Sequence, residues 1–378
     1  MNLRNANYQI LNTPYSKEAY EEKIRKLNSG TFSGLNNVRQ EFLKLILAFP
    51  HRFATIVHST NVSGEYITNS KNCHNCYDVD GIAEDSRFIT YTIPGVKDCY
   101  DVYGAGSNIE RAYEVTSSGA SLQNAFFSPL SWTGDSIQYS HFCKACSNIF
   151  GCIGLRDKQY CILNKQYTKE DFESFLPRII QHMNDAPYID KKGRVYKYGE
   201  FFPIEISPFA YNETIAQEYF PLTKAQAIEQ GYKWKDSDTK EYQITIFPKD
   251  LPDNIEDAPD SILKKTIGCA HEGKCMEQCT TAFRITPEEL SFYKRLNLPL
   301  PRLCPNCRHY QRLAQRNPLK LWHRKCQCAG NGSENGIYRN VSPHQHGTGK
   351  CPNEFKTSYA ADRKEIVYCE QCYQAEVV

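Results

Sequence analysis

Cysteine carries the chemistry of this sequence. Seventeen cysteines lie in 378 residues, and none falls in 1–72 or 162–268. In the C-terminal cluster, Cys279-Thr-Thr-Ala-Phe283 and Cys351-Pro-Asn-Glu-Phe355 share a C-x3-F frame, and each precedes a C-x-x-C pair, Cys304/Cys307 and Cys369/Cys372. A further cysteine stands upstream of each, Cys275 for the first set and Cys328 or Cys326 for the second. Zinc takes four thiolate or imidazole ligands in a tetrahedron, and two short knuckles supply them in pairs. The spacing predicts a tandem four-cysteine module holding two structural Zn2+ ions. The ligands are Cys275, Cys279, Cys304 and Cys307, then Cys328 (Cys326 as the alternative), Cys351, Cys369 and Cys372. Each ion is expected to supply folding free energy on the order of 10 kcal/mol, without which modules this small do not fold. His271 is an alternative first-site ligand, and His344-Gln-His346 stands beside Cys351.

Cys304-Pro-Asn-Cys307 runs straight into a basic stretch. Residues 294–325 hold nine Lys or Arg and no Asp or Glu, although the whole chain has 45 basic against 43 acidic residues and a net charge of +2. Arg308, Arg312 and Arg316 recur every fourth residue and so share one helix face. With Arg302, Lys320, Arg324 and Lys325, and with Trp322, His309 and Tyr310 for stacking, they predict RNA or DNA binding through phosphates and bases. The competing readings are a solvated face and an acidic protein surface, including the rest of this chain. A metal-dependent nuclease using His344 and His346 is a further alternative, but no companion carboxylate stands at a telling spacing. No P-loop, dinucleotide fingerprint or nucleophile–base pair is present, and nothing in the sequence identifies an enzyme.

The elements that must position these residues differ along the chain. Residues 1–52 read as a helical cap, with Ser16 capping one helix and Pro50 ending another. From 53 to 165 short β-rich runs alternate with small turn residues. Cys76-Tyr-Asp-Val-Asp-Gly81 returns as Cys99-Tyr-Asp-Val-Tyr-Gly104, with a weaker copy at Ala112-Tyr-Glu-Val115. Such self-similarity predicts a parallel β-helix with a rung of about 20–25 residues. Cys76, Cys99 and Cys161 would stack inside it, which is favoured over a third zinc site at Cys73-x-x-Cys76 and Cys143-x-x-Cys146. A flat β-helix face also suits a protein partner, giving a scaffold as the second functional reading.

Residues 166–268 read as an α/β connector, with helices at 168–182 and 223–230 and an acidic linker at 235–260. Thr286-Pro-Glu-Glu289 is a capping box. The fold class is therefore multidomain α+β, a parallel β-helix-like region followed by tandem treble-clef or zinc-ribbon modules over 269–378. The longest apolar run, 42–49, is too short for a membrane span, and the first residues lack a signal peptide's apolar core. A reducing cytoplasmic setting is expected.

The strings FRITPEELSFYKRLNLPLPRLCPNCRHYQRLAQRNPLKLWHRKC and EIVYCEQCYQAEVV, with KNCHNCYDVDG, VKDCYDVYG and FGCIGLRDKQYCILNKQYTKEDF upstream, resemble an uncharacterised zinc-ribbon family common in Patescibacteria of the candidate phyla radiation. The resemblance covers most of the chain and implies zinc at the cysteines above; it carries no assigned activity. Many members run directly from the first to the second cysteine of site two. Here residues 329–350 intervene, leaving Cys326 and Cys328 as alternatives.

Overall fold

The structure, a computed structural model, describes residues 8–27, 30–92, 95–107, 109–236 and 242–377. Between about 61 and 164 the backbone advances in threes. Asn72, Asn75 and Asp78 have φ of 54°, 55° and 51°, in the left-handed region, and each precedes a buried residue, Cys73, Cys76 and Val79. Asn and Asp reach that region at low cost because their short polar side chains bond locally. Each such residue turns the chain a corner and aims the next one inward. The corners build a β-solenoid of parallel strands, with Tyr100 registered on Arg87 and Tyr113, and Ile149 on Ile137 and Cys161. A coil is thus 13 residues long at the former level and 12 at the latter.

The expected rung of 20–25 residues is therefore wrong. The copies beginning at Cys76 and Cys99 sit on different sides of the coil. Cys99 lies over the Ser86 and Cys73 column, whereas Cys76 lies under Ile89. Both are buried, as expected, but they do not stack on each other.

Ile67, Ile89, Val102, Val115, Leu122, Ile137 and Ile149 fill the interior, each contributing about 1.5–3 kcal/mol by burial. Alanines, serines and cysteines take its smaller inward places. Ser86 Oγ donates to the carbonyl of Glu84 (2.7 Å), and Cys99 Sγ in the coil above donates to that of Lys97 (3.1 Å). The backbone N–H of Cys99 in turn donates to Ser86 Oγ (3.1 Å). Outside, an aromatic ladder climbs one face through Phe88, Tyr100, Tyr113, Phe127, Tyr139 and Phe150, with ring centroids 4.5–6.1 Å apart.

Both ends of the solenoid are covered. Helix α1 (Lys17–Lys26), capped by Ser16, and α2 (Phe32–Ala48), which stops before Pro50, precede it. Helix α3 (Lys169–Asp185) buries Phe172 against Phe150 and Ile162 of the last coil. At the other end the C-terminal region returns. Strand Ile366–Tyr368 pairs in parallel with Pro50–Arg52, Arg52 forms a two-pronged ion pair with Glu370 (2.6 and 2.7 Å), and buried Glu65 of the first coil accepts from Ser358 Oγ (3.0 Å).

The stretch read as a linker is also packed where it is described, its residues 237–241 lying outside the described residues. Leu251, Ile255 and Ile262 are buried with Phe283, Leu290 and Leu300 in one core, and Asp253 accepts from the N–H and hydroxyl of Ser33 at the start of α2 (3.0 and 2.6 Å). Between α3 and that core run two short helices, α4 (Ala216–Tyr219) and α5 (Lys224–Glu229). No helix among the described residues is long and apolar enough to cross a membrane.

Candidate metal centres

The first cysteine module is built on a short antiparallel pair, Ile267–Gly268 with Ala282–Phe283. Helix α6 (Pro287–Arg295), started by the Thr286/Glu289 capping box, follows. Helix α7 (Pro305–Leu313) then has Cys304 as its N-cap, the thiol accepting from the backbone N–H of Cys307 (3.5 Å). The second module repeats this plan with the hairpin Trp322–Lys325 and Glu354–Thr357, then Cys369 immediately before α8 (Glu370–Val377).

Two four-sulfur groups result. Cys269, Cys279, Cys304 and Cys307 have all their sulfurs within 4.8 Å of one another, as do Cys326, Cys351, Cys369 and Cys372. Individual separations are 3.8 Å for Cys269–Cys307, 4.0 Å for Cys279–Cys304 and 3.8 Å for Cys351–Cys369. A tetrahedral ion with arms of about 2.3 Å requires sulfurs about 3.8 Å apart, so both groups fit one. Burial alone would raise the Cys304 thiol, but N–H donation from Cys307 and hydrogen bonds from Thr280 bring it down to about 6. A hydrogen bond with the Cys326 thiol lowers Cys369 to about 4 against its burial. Each module so has one thiolate ready at a helix N-terminus.

One expected ligand moves, and at the second site the stated alternative, Cys326, is the one grouped with the other three. In the first group the fourth position is Cys269, because the antiparallel pair brings residue 269 beside 281 (N–H to carbonyl, 2.7 Å) and under Cys304. Cys275 stands instead with His271, Glu277 and Cys307. In the second group Cys326 joins the four, and Cys328 lies with His344, His346 and Cys372. The intervening 329–350 folds back on Cys328 through the Cys351 N–H bond to its carbonyl (2.9 Å). Cys269 was legible in one respect only: Cys269-x-His271 and Cys326-x-Cys328 carry the same offset between two metal-binding residue types. The solenoid cysteines join no such group among the described residues. Cys73 and Cys143 bond backbone carbonyls inside the coil, and burial pushes Cys99 up to about 11.

The basic stretch is divided by the fold. Helix α7 ends at Leu313, short of Arg316, and residues 322–325 are a strand rather than more helix. Three arginines turn inward. Arg302 donates to the carbonyls of Leu251 and Pro252 (3.1 and 2.9 Å) and lies 4.8 Å over Phe32. Arg308 bonds Tyr293 Oη (2.9 Å) and Glu289 (3.4 Å), and Arg324 donates to the Ala360 carbonyl (3.1 Å). Burial lowers the guanidinium pKa of Arg302 and Arg324. Lys325 pairs with Glu354 at the surface (3.2 Å), and His309 with Glu218 (3.0 Å).

Arg312, Arg316 and Lys320 remain exposed. The segment after α7 crosses the solenoid and frames two neighbouring clefts that share Tyr77 and Leu319. One, of about 750 Å³, has Arg39, Tyr66, Asp78 and Arg316 in its lining. The other, of about 690 Å³, has Phe88, Tyr103, Tyr219, Phe220 and Lys320. Arg316 stacks 4.9 Å over Tyr219 and lies 3.8 Å from Asp78, and Lys320 lies 5.2 Å over Trp322.

The fold and centres define a β-solenoid followed by two cysteine modules able to hold metal, the second of which covers its first coil. Comparison with protein-family models, curated proteins and solved structures returns no match.

Proposed function

We propose that this chain is a zinc-dependent binding protein for single-stranded nucleic acid, RNA or DNA, working in the reducing cytoplasm. All-sulfur tetrahedral sets favour zinc, and hairpin knuckles followed by C-x-x-C helix starts support modules of the treble-clef type, in keeping with the resemblance to the Patescibacteria zinc-ribbon family. The modules are structural: they fix the segment between α7 and residue 322 against the solenoid.

The observation that carries the reading is the placement of exposed cations, Arg39, Arg316 and Lys320, beside exposed or half-buried rings, Tyr66, Phe88, Tyr103 and Tyr219, in adjoining clefts. Single strands are held by such a pairing, cations tracking phosphates and rings stacking bases, each stack being worth about 1–3 kcal/mol. Asp78 is offset by Arg316, and burial raises the Asp101 carboxyl at the cleft wall.

The test is a titration of zinc-loaded protein against single- and double-stranded oligonucleotides at about 50 and 200 mM salt, where several phosphate contacts make affinity fall by orders of magnitude. Single strands should bind more tightly than duplexes. Arg316→Gln with Lys320→Gln should flatten the salt slope, and Tyr219→Ala should weaken binding at both salts. No binding at the lower salt overturns the reading. The scaffold alternative then leads, favoured by Phe42 and Leu43, which are half exposed on α2 at the first cleft.

A further inference from the structure

The group Cys328, His344, His346 and Cys372 has its four ligand atoms within 4.8 Å of one another, and it shares Cys372 with the four-sulfur group. Its two imidazoles are held in opposite senses by their outer partners. His344 Nε2 lies 2.8 Å from Oε1 of Glu376. That carboxylate is fully buried and also takes Tyr338 Oη–H and the N–H groups of Val341 and Ser342 (2.8, 2.9 and 3.2 Å). Every neighbour is a donor, so His344 donates from Nε2 and presents the Nδ1 lone pair to Cys328 Sγ, 3.3 Å away. His346 Nδ1 lies 2.9 Å from the Gly349 carbonyl, which can only accept. Its Nε2 lone pair therefore faces Cys372 Sγ, also at 3.3 Å. Asn340 positions Cys328 in the same manner, donating from Nδ2 to the sulfur (3.2 Å) while its Oδ1 accepts from Tyr368 Oη (2.8 Å). Metal-ligating histidines are oriented by such carboxylate and carbonyl partners on the far ring nitrogen.

We propose that the second module holds two metal ions, the additional one bound by Cys328, His344 Nδ1, His346 Nε2 and Cys372, with the Cys372 sulfur bridging it to the ion of the four-sulfur group. Two thiolates and two imidazoles suit a tetrahedral zinc ion. On binding, the Cys328 thiol releases its proton to solvent, and the Cys372 thiolate lends a second lone pair. The charge balance favours the pair. Four thiolates around one dication leave −2 in a buried place, whereas five thiolates and two neutral imidazoles around two dications leave −1. The first module supports the design independently. His271, Cys275 and Glu277 group around Cys307, again the second cysteine of the C-x-x-C. Among the described residues, Nδ1 of His271 and Oε2 of Glu277 are buried without a hydrogen-bond partner, although only 3.0 Å apart. The order along the chain also corresponds: 269, 271, 275, 277, 279 against 326, 328, 344, 346, 351.

The site is closed by four protein ligands, which makes it structural and takes His344 and His346 out of any role as a catalytic base. The experiment uses the full chain purified with zinc. Nitrogen-15 spectra of its histidines should show His344 coordinated through Nδ1 and His346 through Nε2, with no titration of either ring between about pH 6 and 8, the range in which a free imidazole titrates. Native mass spectrometry should show one ion fewer in Cys328→Ala with His344→Ala than in the unaltered chain. Ordinary titrating tautomers at both rings overturn the proposal, and so does an unchanged ion count in the double variant. The spectra need no variant, so a misfolded double variant leaves that arm standing. Failure of oligonucleotide binding, by contrast, touches only the clefts.

Discussion

Inside the solenoid, a thiol and a hydroxyl do the same work at the same kind of position. Ser118, Ser128 and Ser140 each donate to the carbonyl two residues back (3.1, 2.8 and 2.8 Å), as Cys73, Cys99 and Cys146 do through sulfur (3.3, 3.1 and 3.3 Å). Cys99→Ser should therefore change stability by no more than about 1 kcal/mol, since one weak hydrogen bond replaces another. On the proposed reading, Cys304→Ser should release the ion and unfold the first module, because a structural zinc supplies on the order of 10 kcal/mol to modules this small. Thermal denaturation with metal counting on both variants checks the contrast; equal losses would mean the two cysteine classes are one. A carboxylate gives the pH dependence. Burial would raise Glu365, but the hydrogen bond from Arg363, a backbone N–H and the Arg363 charge together hold it below the usual range. A folded value below the unfolded one contributes stability above the unfolded carboxylate pKa of about 4.3, lost as pH falls through the folded value. Acid unfolding should thus be shallower below about pH 4 in Glu365→Gln, and identical pH profiles would remove the pair from the account.

At the scale of elements, the docking of α8 and strand Ile366–Tyr368 on Pro50–Arg52 joins residues more than 300 apart in the chain. Arg52→Ala should loosen it by about 1–2 kcal/mol, a two-pronged but partly exposed pair. Hydrogen exchange of strand Ser63–Thr68 in the first coil should accelerate; unchanged exchange would show the pairing of backbones suffices. How much of the fold could be read from sequence also divides by element. Caps at Ser16 and Thr286 were legible because a hydroxyl three residues before its N–H partner is a local signal. The solenoid was legible as a class but not in its period. The period is written in threes, as in Asn72-Cys73, Asn75-Cys76 and Asp78-Val79, and only φ shows that the first residue of each pair is the corner. The C-x-x-C ligands stood out because both lie on one helical turn. Cys269 did not, and Cys326 stood only as the alternative to Cys328, because hairpin closure rather than spacing brings them in.

Across the whole molecule, the basic run from 294 to 325 shows why charge in sequence is a poor guide to surface. Arg302, Arg308 and Arg324 bind carbonyls, a tyrosine and a carboxylate of the chain itself, and only part of the stripe is left for a partner. Those inward contacts and the outward ones are complementary. The arginines that hold the modules together fix where Arg316 and Lys320 emerge beside the aromatic clefts.

The pairing of residues 50–52 with 366–368 also sets an order on synthesis. The solenoid can coil as it leaves the ribosome, starting from its first turn, but that turn stays without its cover until residues 366–370 have followed and reached it. A chain released before that point presents an unpaired strand edge at residues 50–52, and such edges recruit other chains.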